Sequence, residues 1–254
     1  MQEISIENTY GTQEAHAKLL EMLKDFHRFC VQNNISYSLT GGSLLGAVRH
    51  NGFIPWDDDV DVMLDRENYN KFVESISSPA YKGEYKLNKI LWIHRLQKDG
   101  QESSGFSPTI DLFVADNSPE NSIKRKLKVI KLKILQGMMK EKINYKNFSL
   151  PYKICLFATH ILGKLFTYNF KWKRYVAISK SSNKNETPFV SVYNDLFKYI
   201  SLRYPSSMMK NLSLHKFEDT EVYITEDWDK YLTTVFGDYM TPPKEEDRVP
   251  GHLE

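Results

Sequence analysis

Hydrophobic residues recur at helical or strand spacing along most of the chain. Between residues 13 and 33 they lie three or four positions apart, which predicts an amphipathic helix. In DVDVML, residues 59–64, acidic and apolar residues alternate, which predicts a strand with one polar and one buried face. Further strands are predicted at ISYSL, KILWIHRLQK, SPTIDLFVAD, FVSVY and on both sides of the turn in HKFEDTEVYI, and further helices at SLLGAVRH, RENYNKFVESI and EDWDKYLTTV. The mixture of short strands and helices indicates a mixed α/β (α+β) fold.

Near residue 120 the pattern becomes helical and basic. One helix is predicted over residues 122–142 and a second after Pro151, in ICLFATHILGKLF. The apolar stripe of the first of these helices comprises Ile123, Leu127, Ile130, Ile134 and Met138. We predict one domain over residues 1–254, with a catalytic core in 1–119, a basic helical insertion in 120–188 and a C-terminal part in 189–254 that completes the site.

Composition limits the class of protein and its compartment. The 254 residues are 41% hydrophobic and 26% charged, which is ordinary for a soluble globular protein. The two cysteines, Cys30 and Cys155, lie far apart in apolar surroundings and form neither a zinc-binding spacing nor a disulfide framework. The first thirty residues have no apolar signal-peptide core, and no run is long enough to span a membrane. We therefore expect a cytoplasmic protein.

The net charge of +2 conceals a strong asymmetry. Residues 121–175 contain 14 Lys or Arg and one acid, Glu141, giving +13, so the remainder carries 20 basic and 31 acidic residues, or −11. A solvated helical face, nucleic-acid binding and docking to an anionic surface would each suit such a segment. No nucleic-acid-binding motif accompanies it, so we expect no nucleic-acid partner. Because lysines alternate with apolar residues such as Ile130, Leu156 and Phe166, we favour peripheral contact with an anionic membrane at its inner face, or with a lipid-linked glycan.

The stretch FIPWDDDVD places four aspartates within five positions. On a strand, Asp59 and Asp61 point to the same side, and two carboxylates so close are stable in ionised form only beside a cation such as Mg²⁺. Asp111 stands alone in the apolar strand TIDLF, either exposed on one face or serving as a third ligand. Together the three acids predict a site for two Mg²⁺ ions that supports phosphoryl-type transfer. The roles of Asp57 and Asp58 stay open.

A glycine-rich turn precedes these acids. Gly41 and Gly42 allow close approach of a ligand to the backbone, Ser43 is a plausible helix N-cap and hydroxyl donor, and the helix start can hold phosphate. A glycine–serine turn, an acid-x-acid strand and a distant third acid, in that order, resemble the nucleotidyltransferase (polymerase beta-like) superfamily.

A longer string resembles a narrower family. LTGGSLLGAVRHNGFIPWDDDVDVMLDRENYNKF, residues 39–72, looks like the signature of the LicD family, bacterial phosphocholine transferases related to fukutin and fukutin-related protein. The resemblance continues through IDLF and through YLTTVFGDYMTPPKEEDRVPGH, so it spans about residues 35–252. It implies Mg²⁺-dependent transfer of phosphocholine from CDP-choline to a sugar hydroxyl of a surface glycan, such as a lipopolysaccharide, teichoic acid or capsule precursor, with release of CMP.

Under this resemblance each candidate residue has a predicted role. The metal ligands and catalytic acids are Asp59, Asp61 and Asp111, the last also a candidate general base; Gly41, Gly42 and Ser43 are predicted to contact the donor diphosphate. Arg49 either stabilises the leaving cytidylate or pairs with an aspartate, and His50 is structural. Arg248 and His252 match the closing residues of the family and contact either a phosphate or the tail. Candidates for an aromatic choline cage are Trp56, Tyr193 and Trp228, and the sequence does not choose among them.

Three other functions compete with phosphocholine transfer. Some members resemble enzymes that move ribitol phosphate, glycerol phosphate or ethanolamine phosphate from a CDP carrier. A nucleotidylyltransferase acting on a small substrate would share the motifs, and so would a catalytically silent, membrane-associated scaffold. The presence of all three acids argues against the scaffold.

Overall fold

The computed structural model describes residues 10–98, 107–140 and 149–250. In chain order its elements are α1 (Gln13–Gln32), β1 (Ser38–Leu39), α2 (Gly41–His50), β2 (Val60–Asp65), α3 (Arg66–Ile76), β3 (Tyr85–Ile90), β4 (Ile93–Lys98), β5 (Thr109–Asn117), α4 (Ser122–Met139), α5 (Leu150–Lys164), α6 (Tyr168–Ser179), β6 (Phe189–Val192), β7 (Tyr204–Pro205), β8 (Leu212–Phe217), β9 (Thr220–Thr225) and α7 (Trp228–Phe236). The predicted mixed α/β class is confirmed.

The chain divides into two units. The described residues of the first unit are 10–88, 94–98, 107–114 and 207–250, and those of the second are 89–93, 115–140 and 149–206. All described residues of the predicted insertion, 120–188, fall in the second unit, which also includes residues 189–206.

In the first unit a sheet carries the acidic residues. Its strand order is β1-β2-β5-β4-β3, with Leu39 opposite Val62 and Arg95 opposite Asp111 in antiparallel pairs. Val60 and Val62 are fully buried, which confirms the predicted apolar face of β2. Strands β8 and β9 form a separate antiparallel hairpin.

Most of the predicted elements of the first unit are present. Helix α3 has its predicted bounds because Asp65 caps it, accepting a hydrogen bond from the Asn68 amide at 2.7 Å. Helix α2 begins two residues before the predicted start, with Thr40 at the N-cap, so the prediction of Ser43 as N-cap is wrong. The segment KILWIHRLQK, predicted as one strand, forms the end of β3, a turn that contains Leu91 at φ +56°, and β4.

The second unit combines helices α4, α5 and α6 with strands β6 and β7, and β6 pairs with residues 115–117 of β5. Its core contains Trp92, Leu132, Tyr175 and Tyr193. Helix α6 was not predicted. Its buried side includes Lys171, and this charged residue interrupts the apolar spacing that would indicate a helix in the sequence. The Lys171 ammonium donates to the carbonyl oxygens of Met138 and Gly163, both at 3.0 Å, near the C-terminal ends of α4 and α5.

Candidate active site

Two carboxylates lie directly against the first turn of helix α2. A Cβ atom on Gly41 would lie 2.5 Å from Oδ2 of Asp61, and one on Gly42 would lie 2.5 Å from Oδ2 of Asp57. Gly41 also has φ +55°, a conformation that L side chains rarely adopt. The two glycines therefore make room for acids at the positive end of the helix dipole, where negative charge is favoured. Their predicted contact with a donor diphosphate stays a prediction.

The backbone of Asp61 is fixed on both sides. Its amide donates to the Ser43 hydroxyl oxygen at 2.9 Å, and its carbonyl oxygen accepts from the Thr40 amide at 3.0 Å. Ser43 is only 3% exposed. The structure thus assigns the Ser43 hydroxyl to positioning the acid-x-acid strand, and its predicted contact with phosphate is untested.

Tyr231 of α7 anchors the same turn from the far end of the sequence. Its hydroxyl oxygen accepts from the Thr40 hydroxyl at 2.7 Å and from the Gly41 amide at 3.2 Å. The second bond occupies one of the amide groups that a helix start offers to an anion. Sequence reasoning missed this residue, although the family-like string YLTTVFGDYM contains it.

Asp57, whose role the sequence left open, belongs to the acidic cluster formed by Asp57, Asp58, Asp59 and Asp61. Burial, followed by the charges of Asp59 and Asp58, raises the pKa of Asp57 to about 8. The carbonyl oxygen of Asp57 accepts a hydrogen bond from Nε2 of His16 at 2.6 Å. Asp58 is 3% exposed. A carboxyl group whose pKa is raised by burial and by neighbouring negative charges is characteristic of functional sites.

The loop that carries these acids is fastened by two other elements. The Thr12 hydroxyl, at the start of α1, donates to the Pro55 carbonyl oxygen at 2.7 Å, and the His16 ring stacks on Phe53 with centroids 4.4 Å apart. In the turn between β8 and β9, a Glu218 carboxylate oxygen accepts from the Phe53 amide at 2.9 Å. These contacts connect the loop to α1 and to the turn between β8 and β9.

Asp111 forms a two-pronged ion pair with Arg95 on the neighbouring strand. Nε and Nη2 of Arg95 donate to Oδ1 and Oδ2 of Asp111 at 2.5 and 2.7 Å, and the two side chains are 21% and 8% exposed. The hydrogen bond to Asp111 raises the pKa of Arg95 most, and the charges of Asp111, Asp59 and Asp61 raise it further. Arg95 therefore lies within electrostatic reach of all three predicted acids.

Asp59 and Asp61 supply the hard oxygen donors that Mg²⁺ prefers. Within residues 10–98, 107–140 and 149–250, however, no group of three Asp, Glu, His or Cys side chains is arranged to hold a metal ion. Both oxygens of Asp111 bond to Arg95 instead. The donor chemistry of Asp59 and Asp61 suits the ion, and their binding of Mg²⁺, with or without Asp111, stays a prediction.

Two arginines concentrate positive charge near the acidic loop. Nη1 of Arg49 donates to the Tyr239 carbonyl oxygen at 2.9 Å, and Nε donates to His50 at 3.0 Å. Burial lowers the pKa of Arg49, and the charge of Arg248 lowers it further. Two cations this close suit an anionic ligand. The sequence predicted such a ligand as one alternative for each residue: Arg49 would stabilise the leaving cytidylate, and Arg248 would contact a phosphate. Burial, followed by the charge of Arg49, also lowers the pKa of His50.

The remaining predicted residues are placed as follows. The Arg248 guanidinium lies over the Trp56 ring, 5.2 Å from its centroid, and Nε donates to the Pro243 carbonyl oxygen at 2.9 Å. Of the choline-cage candidates, Trp56 thus already contacts a cation.

Tyr193 is fully buried in the second unit, which makes it wrong as a cage residue. Trp228 starts α7 and is partly buried, and His252 lies outside the described residues.

Replacing Tyr231 by Phe should lower the free energy of unfolding by about 1–2 kcal/mol, because two polar groups at the start of α2 lose their acceptor. Urea denaturation followed by circular dichroism measures this change. Tyr199→Phe, at a partly exposed tyrosine of the second unit, is the control and should change little. Equal stability of the two variants would contradict the anchoring role.

Comparison with known proteins assigns the family. Residues 34–151 match the family model described as LicD/FKTN/FKRP, nucleotidyltransferase domain. The chain is 30% identical to the lipopolysaccharide cholinephosphotransferase LicD of Haemophilus influenzae over 269 aligned positions, covering 95% of this chain and 96% of that protein. Uncharacterized proteins of Rickettsia typhi and Rickettsia prowazekii are 42% and 48% identical over 64 and 50 residues, covering 25% and 20% of this chain and 20% and 19% of their own lengths. The near-complete match to the Haemophilus protein confirms the resemblance of the glycine turn and acidic strand: this chain belongs to the LicD family.

Proposed function

We propose that this protein transfers phosphocholine from CDP-choline to a sugar hydroxyl of a bacterial surface glycan, with a lipopolysaccharide precursor as the first acceptor to test. The proposal rests on the 30% identity to a lipopolysaccharide cholinephosphotransferase along nearly the whole of both chains. The family model adds a nucleotidyltransferase domain over residues 34–151, which supports the predicted polymerase beta-like core.

The transfer has a simple balance of bonds. The acceptor hydroxyl oxygen attacks the phosphorus that carries choline, a new phosphate ester forms, and the bond to the other phosphate breaks with release of CMP. The hydroxyl proton passes to one of the predicted catalytic acids Asp59, Asp61 and Asp111, with Asp111 as the first candidate. The positive charge of Arg49 and Arg248 suits the CMP phosphate, whose negative charge grows as it leaves.

The acidic cluster would repel a diphosphate unless a cation accompanied it. We propose that Asp59 and Asp61 hold Mg²⁺, and that Asp111 joins them if Arg95 turns away. When bound, the metal would neutralise diphosphate charge and polarise the phosphoryl oxygens. In the absence of the ion, the Arg95 guanidinium neutralises the charge of the Asp111 carboxylate and keeps it close to Asp59 and Asp61.

The alcohol carried by the CDP donor is assigned from the relative rather than from the site. CDP-ribitol, CDP-glycerol and CDP-ethanolamine carry the same diphosphate and cytidine, so the acids and arginines alone would accept them. The name of the Haemophilus relative favours choline. Because Cys30 and Cys155 are free thiols, as is usual in a reducing compartment, we propose the cytoplasm for the reaction.

A panel of donors tests the proposal. Thermal unfolding is measured with Mg²⁺ and each of CDP-choline, CDP-ethanolamine, CDP-glycerol and CDP-ribitol. CDP-choline should raise the melting temperature most, since a ligand present at about 100 times its Kd stabilises the folded state by about 2.7 kcal/mol. A larger rise with another CDP-alcohol would reassign the donor. Nucleoside triphosphates are measured alongside, and a rise with them alone, together with pyrophosphate release, would favour a nucleotidylyltransferase.

A further inference from the structure

Helix α5 presents an uninterrupted apolar face to solvent. Five of its exposed large apolar residues fall at the spacing of one helix face and are 48% to 76% exposed. They are Leu150, Ile154, Phe157, Ile161 and Leu165, the last directly after the helix. Monomeric soluble proteins rarely leave such a stripe uncovered, so it marks an interaction surface.

The opposite face of α5 is already used for packing. Leu156 is 5% exposed, so its predicted place on the outer surface is wrong. A Cβ on Gly163 would collide with the Met138 carbonyl oxygen, and one on Gly137 would collide with the Thr159 hydroxyl. Helices α4 and α5 therefore approach each other closely through small residues. The outward stripe of α5 is apolar surface that this packing leaves uncovered.

Helix α4 repeats the arrangement and adds charge. Its predicted apolar stripe is 38% to 67% exposed over its first three turns, at Ile123, Leu127, Ile130 and Ile134. Lys124, Lys126 and Lys131 are exposed between these residues. The buried side of the helix consists instead of Val129, Leu132, Leu135 and their neighbours. Exposed aliphatic groups thus alternate with ammonium groups on one helix.

The charge of this region selects the partner. From Asn121 to Asn185, Glu141 is the only acidic residue in the sequence. A second copy of the chain would therefore bring like charges together at this surface, with almost no acid to pair with them. Phosphates of an anionic bilayer complement the lysines, and each lysine near such a surface strengthens the binding.

The dimensions of the helices favour lying on a bilayer over crossing it. Over the parts of the chain described, none of the helices combines the length and the apolar character that spanning requires. Helix α5 has 15 residues, whereas a bilayer core needs about 20. A helix with one apolar face and flanking lysines typically settles at the boundary between headgroups and acyl chains.

We propose that α4 and α5 form a lipid-docking surface, with the α5 stripe inserted shallowly into an anionic leaflet and the lysines of α4 against its phosphates. The docking would hold the enzyme where a lipid-linked acceptor is available. It depends on the second unit alone, so it can be tested separately from the transfer reaction.

Cosedimentation of the full chain with sucrose-loaded vesicles tests the proposal. Vesicles of phosphatidylcholine and phosphatidylglycerol at about 7:3 should pull the protein down at low salt, and pure phosphatidylcholine should not. Raising the salt to about 0.5 M should weaken the binding because it screens the lysines.

Matched variants separate the contributions. Ile154→Asn/Phe157→Asn should reduce partitioning to anionic vesicles at least tenfold, and Lys126→Glu/Lys131→Glu should reduce it similarly. Val31→Asn/Leu214→Asn removes two apolar side chains of similar exposure from the first unit and should bind like the wild type. Unchanged melting temperatures would establish that all three variants fold.

Four results would overturn the proposal. The protein could stay in the supernatant with anionic vesicles, bind neutral and anionic vesicles equally, or bind undiminished after substitution of the α5 stripe. The fourth is a stable dimer in analytical ultracentrifugation that the α5 substitutions dissociate, which would make the stripe an interface between copies.

Discussion

Asp61→Asn is expected to reduce the rate of phosphocholine transfer by about a thousandfold while the protein stays folded. Asparagine has the shape of aspartate, so the bonds of the main chain to Ser43 and Thr40 can persist. The lost group is the charged oxygen that lies against Gly41, at the point where the acid-x-acid strand meets the helix start. Release of CMP from CDP-choline in the presence of an acceptor measures the rate.

Glu84→Gln is the control for this substitution. Glu84 is a surface carboxylate of the first unit, 70% exposed and paired with Lys98 at 2.6 Å. Its loss should leave the transfer rate within about twofold of the wild type, since exposed ion pairs contribute little. A rate above a tenth of the wild type for Asp61→Asn would show that this carboxylate does not act in the reaction.

Arg95→Met should have the largest effect on stability. It leaves the carboxylate of Asp111 buried without its partner, which typically costs about 3–5 kcal/mol. Chemical denaturation in the presence of a chelator measures the loss. The double variant Arg95→Met/Asp111→Asn should recover much of it, because the unpaired charge is then removed as well.

The same variant tests the metal proposal. If Asp111 can join Asp59 and Asp61 around Mg²⁺, the ion should replace the missing positive charge in Arg95→Met. Millimolar Mg²⁺ should then raise the melting temperature of the variant more than that of the wild type. An equal rise in both proteins would mean that Asp111 does not become a ligand when Arg95 is absent.

The acid-bearing elements were predictable because their signals are local. Alternation in DVDVML fixes which face of β2 is buried, and Asp65 followed by an amphipathic run fixes the start of α3. The family-like string around the four aspartates led to the correct family, which the comparison with the Haemophilus protein confirmed.

The parts that sequence reasoning missed depend on distant partners. Arg95 is 16 positions from Asp111, and only the register of β4 against β5 places them opposite each other. Tyr231 lies 191 positions from Thr40, and no pattern pairs them. The close approach of Asp61 to Gly41 and of Asp57 to Gly42 was also missed, because a gap that a neighbouring carboxylate fills is visible only in three dimensions.

Apolar periodicity was also ambiguous in the second unit. The stripe from Ile123 to Ile134 has the spacing of a packed helix face, yet the structure buries the adjacent side of α4 and leaves the stripe exposed. Spacing indicates that residues share a face but not what covers that face. The excess of lysine around the stripe is the sequence signal that distinguishes a surface from a core.

The most direct test of the central claim is a transfer assay with purified protein, Mg²⁺, CDP-choline and lipopolysaccharide-derived oligosaccharides. Mass spectrometry of the oligosaccharide and quantification of CMP are made on the same samples. The proposed function predicts one phosphocholine added to the glycan for each CMP released, with transfer by the Asp61→Asn variant about a thousandfold slower. Absence of glycan product and CMP with every CDP-alcohol tested, or pyrophosphate release from a nucleoside triphosphate instead, would contradict it.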